Sequence, residues 1–117
     1  MRNSLKWSVL VAIFALGASA SRAEVDKKTE KLWKAKCASC HGVDGKGKTE
    51  SGLKVDLQDL TQAAWQKATD DAKINKKISD GSTKEKGAAK LEMDPYKDKL
   101  QPEQVDALVA FIRTLAG

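Results

Sequence analysis

The chain has 117 residues, 41 % of them hydrophobic and 32 % charged, and its 21 Lys and Arg outnumber its 16 Asp and Glu to give a formal charge of +5. Setting aside Arg2, Lys6 and Arg22 leaves 18 basic residues against 16 acidic ones, a net +2, which is too small a basic excess to imply nucleic-acid binding. The length holds one small domain whose own core is marginal, so a disulfide, a metal, a cofactor or a partner is expected to help hold it.

The first 23 residues read apart from the rest. Arg2 and Lys6 give a positive start, and Trp7 to Leu16 is apolar except for Ser8. Ala18-Ser19-Ala20 and Ser21-Arg22-Ala23 place small residues where a signal peptidase reads. The pattern predicts a secretory signal cleaved after Ala20 or Ala23, a mature domain over 24–117 and a periplasmic location. The apolar run is shorter than the roughly 20 residues of a spanning helix, so no stable membrane anchor is expected.

Val25 to Lys36 is charged, with Leu32, Trp33 and Ala35 as apolar marks, and is predicted helical. HGVDGKGKTESG follows, and four glycines in twelve residues mark a loop. Residues 53–60 carry no clear pattern. Ala63 to Ala68 suggests a short helix around Trp65. In TDDAKINKKISDG a helix is expected, with Thr69 as cap, Asp70 and Asp71 in its first turn, Ile74 and Ile78 on one face, and Gly81 at its end. Ser82 to Asp94 reads as loop. The last element is the clearest helix: Pro102 suits its first position, and Val105, Leu108, Val109, Ile112 and Leu115 recur at helical spacing beside Phe111. Gln101 is a weaker cap than Ser or Asp. No strand stands out, so the expected class is all-α with long loops.

The two cysteines and the single histidine all lie in Cys37-Ala38-Ser39-Cys40-His41. Three chemistries compete for this cluster. A thiol redox pair would need a βαβ sheet, although Lys36 beside Cys37 would lower its thiol pKa. A closed zinc site wants four ligands, and three crowded into one turn leave one missing. The third is covalent haem. Cysteines at i and i+3 point their sulfurs to one side of a helical turn, and His41 at i+4 from Cys37 reaches the iron from the tethered face. The secretory signal agrees independently with haem attachment, and this reading is preferred.

Haem iron has a second axial position. No second histidine exists, and lysines are ordinarily protonated. Apart from Met1, the one methionine is Met93, in LEMDPYKDKL, where Pro95 stiffens the backbone. A lone methionine more often fills a core gap. With haem present, Met93 is the expected distal ligand, opposite His41.

The chain resembles the class I monohaem cytochrome c family. It is similar in style to the small soluble bacterial cytochromes c6 and c555 and to cytochrome c domains of oxidases. The resemblance is carried by KCASCHGVDGKGK at 36–48, TQAAWQKATDDAKINKKISDG at 61–81 and MDPYKDKLQPEQVDALVAFIR at 93–113. It implies three to five helices wrapped round one haem c, with Cys37 and Cys40 as thioether tethers and His41 and Met93 as axial ligands of its iron. It also implies that the first and last helices cross, with Trp33 meeting Phe111. Two positions depart from the family pattern: Asp94 separates Met93 from Pro95, and Gln101 stands where Ser often precedes Pro102. Asp94 places a carboxylate near the ligand and is expected to lower the potential modestly.

The function expected is one-electron transport, with no catalytic residue and no enzyme activity. The partners would be redox proteins such as a membrane oxidase, a dehydrogenase or another cytochrome. Lys27, Lys28, Lys31, Lys34, Lys36, Lys46 and Lys48 gather around the attachment segment and would steer an acidic partner, although a solvated charged face explains them equally.

Overall fold

The computed structural model describes residues 26–117, so the expected secretory signal lies outside the described residues. Six helices and one two-stranded sheet follow in order: α1 (Lys27–Lys36), α2 (Ala38–His41), α3 (Glu50–Lys54), α4 (Ala63–Ala68), α5 (Asp71–Asp80), β1 (Ser82–Lys86), β2 (Ala89–Met93) and α6 (Pro102–Thr114).

Local chemistry explains most boundaries. Asp26 caps α1 by accepting from the Lys28 N–H at 3.0 Å. α5 is capped by Asp70, whose carboxylate accepts from the Lys73 N–H at 2.8 Å. The expected cap, Thr69, instead closes α4. Gly81 ends α5 at φ +76°, as its lack of a Cβ allows. α6 compensates for its weak cap in another way: the Gln104 side chain reaches back and accepts from the Gln101 N–H at 2.8 Å. Within the stretch read as loop, Thr49 opens the short α3 by accepting from the Gly52 N–H at 3.0 Å.

The core is a cluster of Trp33, Leu60, Ile74, Ile78, Val105, Leu108, Val109, Phe111 and Ile112. Every apolar position expected on the inner face of α6 contributes except Leu115, which packs at its edge. α1 meets α6 through Trp33 and Phe111, whose ring centroids are 5.1 Å apart and tilted by 40°. That is the contact the resemblance implied. Arg113 ties the other end of α6 to the chain: it donates to the Gln66 carbonyl at 2.7 Å and pairs with Asp71 at 2.8 Å.

One expectation needs correction. Residues 82–93 are not loop, and the molecule is not free of strands. β1 and β2 pair antiparallel, with Ser82 opposite Met93 and Lys86 opposite Ala89. Gly87 and Ala88 make the two-residue turn, with Gly87 at φ +57°. The strand sequences STKEK and AKLEM are poor strand formers, and every β1 residue is exposed. The turn, the ladder and contact with the rest of the fold outweigh their weak propensity. The architecture remains a helical domain with this one hairpin added.

Candidate haem site

α1 delivers the backbone directly into the cysteine cluster. Cys37 is its C-cap and donates to the Trp33 carbonyl at 2.8 Å. The next turn, α2, closes with His41 N–H to the Cys37 carbonyl at 3.0 Å and Gly42 N–H to the Ala38 carbonyl at 2.8 Å. Two side chains hold this turn in place. The Trp33 indole N–H donates to the Gly42 carbonyl at 3.1 Å, and the Thr49 hydroxyl donates to the Cys40 carbonyl at 2.7 Å. Trp33 also stands beside the imidazole, with ring centroids 5.8 Å apart.

A cavity of about 830 Å³ opens on this turn. Cys37, Cys40 and His41 line one part of its wall, and Met93 lines another. Trp65, Ile74, Ile78, Leu91, Leu108 and Ile112 supply apolar surface between them. Cavities of about 300–1,000 Å³ with mostly apolar walls and a few polar groups are the usual form of cofactor sites.

The polar groups in the wall have a defined character. Burial lowers the His41 pKa, so its ring stays neutral, the form in which imidazole donates to a metal. Its Nδ1 is buried with no hydrogen-bond partner among the described residues. Closed off from the cavity in this way, Nδ1 is not the ring nitrogen that would meet a group bound there, which leaves Nε2 for that role. Burial and the nearby Cys40 push the Cys37 thiol up to about 11. The lowering expected from Lys36 is outweighed, because desolvation of the thiolate dominates. A thiol held protonated in this way is a poor redox nucleophile. Among the described residues no group of three or more His, Cys, Asp or Glu is placed to hold a metal ion by itself, which removes support for zinc. Two sulfurs, one neutral imidazole and one thioether around an apolar cavity fit a haem.

The Met93 side of the cavity is built differently. Met93 is the last residue of β2, half-buried, with its backbone in register with Ser82. Gly81 lies directly beneath it. A Cβ there would come within 2.5 Å of the Met93 carbonyl oxygen and 2.9 Å of the Pro95 nitrogen, so only glycine allows this approach. Asp94 lines the rim of the cavity and pairs with Lys99 at 3.2 Å, with both side chains more than half exposed. Tyr96, which the sequence reading passed over, also lines the cavity, and its hydroxyl reaches the Lys36 carbonyl at 3.3 Å. No local pattern announces a contact across sixty positions.

Comparison with known proteins identifies the family and the fold. The cytochrome c family profile matches residues 27–116. The FixP subunit of the cbb3-type cytochrome c oxidase of Azorhizobium caulinodans is 33 % identical over 101 residues, which are 86 % of this chain and 31 % of FixP. FixP of Bradyrhizobium diazoefficiens is 30 % identical over 90 residues, 77 % of this chain and 27 % of FixP. The chain thus spans less than a third of the length of these curated relatives. Among solved structures, the c-type cytochrome KustC0563 is 35 % identical with a TM-score of 0.62, covering 76 % of this chain and 98 % of that one. A point mutant of Kustc0563 gives 36 % identity and a TM-score of 0.59, covering 74 % of this chain and 96 % of its own. On the profile, the relatives and the shared fold, the chain belongs to the cytochrome c family, the electron carriers that bind haem c covalently around its iron.

Proposed function

We propose that the chain is a periplasmic one-electron carrier with His/Met ligation. Cys37 and Cys40 would hold the haem through thioethers, and His41 and Met93 would donate to its iron. The observation that carries this reading is the single cavity on which both cysteines, the only histidine and Met93 converge. When bound, the haem supplies an iron centre that takes up and releases one electron.

The chain's own residues do the rest. The α2 turn presents both sulfurs and the imidazole from one side, and Trp33 and Thr49 keep it from shifting. Burial holds His41 neutral and ready to donate. The apolar part of the wall offers a low-dielectric surface, where the charge of the centre would be less screened than in water. Met93 brings a soft, uncharged sulfur that favours the reduced state. With His41 and Met93 both donating, the iron would keep no place for a substrate, which favours a carrier over an enzyme. An oxidase of the cbb3 type is the partner class suggested by the similarity to FixP subunits, and a dehydrogenase or another cytochrome would serve as donor. Residues 1–23 are read as the export signal, and N-terminal sequencing of the purified protein should begin at Ser21 or Glu24.

The test is spectroscopic. The protein should keep its haem stain on a denaturing gel, since only covalent haem survives there. The ferric form should show the weak red band of methionine-ligated haem. Met93→Ala should abolish that band, lower the potential and let the ferrous protein bind carbon monoxide at least tenfold faster. A wild-type protein that already binds carbon monoxide as fast as Met93→Ala would overturn the ligation and reopen the iron to catalysis or gas sensing.

A further inference from the structure

We propose that Tyr96 is a positioning residue for Met93, tying the methionine segment to the backbone that leads into Cys37. The inference rests on the reading of Met93 as an axial donor and concerns what keeps it in place. Met93 ends a two-stranded hairpin, and a lone hairpin is marginal in water. Tyr96 is the first residue after it whose backbone bonds to a helix. Its N–H donates to the Ile78 carbonyl at 3.0 Å, and the following Lys97 N–H donates to the Ser79 carbonyl at 3.1 Å. The Tyr96 carbonyl accepts from Lys99 and Leu100, both at 2.9 Å.

The side chain extends this anchorage to the other half of the site. The ring is half-buried, packs on the core cluster and lines the cavity shared by Met93 and Cys37. The Lys99 ammonium sits 5.7 Å from its centroid on the outer side. The hydroxyl donates to the Lys36 carbonyl at 3.3 Å. Lys36 is the last residue of α1, where carbonyls lack intrahelical partners, so the bond satisfies an acceptor that the helix end leaves open. One residue therefore joins the methionine segment, through its backbone N–H, to the end of α5 and, through its hydroxyl, to the residue before Cys37.

Removing only the hydroxyl keeps the ring and the backbone bonds but loosens the methionine segment from α1. The bond is long for a hydroxyl donor, so the gain in opening should be modest, about threefold. The experiment uses haem-loaded protein and reads the rate of carbon monoxide binding to the ferrous form, with the denaturant midpoint measured alongside. Four proteins are compared: wild type, Tyr96→Phe, Gln66→Ala and Met93→Ala. Gln66 bonds the Leu60 and Ile112 carbonyls, so its loss lowers stability without touching the methionine segment. The expected result is a threefold faster rate for Tyr96→Phe and an unchanged rate for Gln66→Ala at an equal or larger loss of stability. A wild-type rate in Tyr96→Phe overturns the proposal. So does a Gln66→Ala rate that rises in proportion to its lost stability, since Tyr96 would then act through general stability alone. Equal rates in wild type and Met93→Ala would instead overturn the ligation on which the proposal rests.

Discussion

The two sides of the haem site are built to different standards. The attachment side is a short turn braced from both flanks: Trp33, 2 % exposed, bonds Gly42, and the Thr49 hydroxyl bonds Cys40. The methionine side hangs on a hairpin whose first strand is exposed throughout and whose outer tie is a surface ion pair between Lys86 and Asp56. Such pairs contribute little, about 0–1 kcal/mol. The difference teaches that the Cys37–His41 turn is fixed by local packing, while Met93 is held by a few contacts drawn from distant parts of the chain. Segments with few buried contacts open first.

The largest expected effect comes from removing what both sides enclose. Cys37→Ala with Cys40→Ala should leave the chain without its covalent haem. The described core contains ten buried hydrophobic residues beside a cavity of about 830 Å³, and a group bound only by the folded state is part of its stability. The loss should be on the order of 5 kcal/mol, the whole margin of a small domain, and the variant should be largely unfolded. A well-dispersed amide NMR spectrum of that variant would refute this.

Gly81→Ala should be intermediate and should separate the two sides. Its φ of +76° and the nearness of the Met93 carbonyl make an added methyl costly, by about 1–3 kcal/mol. The haem stain should survive while the red ferric band weakens. Loss of both together would mean that the two sides are not independent.

The smallest effect belongs to Asp94. Its exposure and its pairing with Lys99 blunt the influence expected from the sequence. Asp94→Asn should raise the potential by only about 10–20 mV, from an exposed charge contributing about 0.2–0.5 kcal/mol. Redox titration checks this, and a shift several times larger would mean that the carboxylate faces the iron more closely than its ion pair suggests.

This division also sets what could be read without coordinates. The attachment motif is contiguous, and its chemistry depends on spacing within one turn, so Cys37, Cys40 and His41 were legible. The inner face of α6 was legible from periodicity, and Ile74 and Ile78 likewise. Elimination singles out Met93 as the expected second donor, but says nothing of how its segment is held. The hairpin escaped notice because Lys84, Glu85, Lys90 and Glu92 carry no strand signature and tertiary context decided the outcome. Thr69 and Asp70 were both plausible caps, and sequence could not show that Thr69 was already closing α4. The bonds of Tyr96 to Lys36 and of Trp33 to Gly42 depend on how elements pack, which no local pattern encodes.

The ladder that pairs Ser82 with Met93 imposes a rule of parity on this part of the gene. Side chains alternate faces along a strand, so a slip of one residue turns the whole set over. A single codon lost from β2 forces either a bulge or a thioether facing water, whereas two codons lost together keep the sulfur on its side. Length variation here should be tolerated in even steps, and a shift by one should turn the Met93 sulfur away from the cavity it lines.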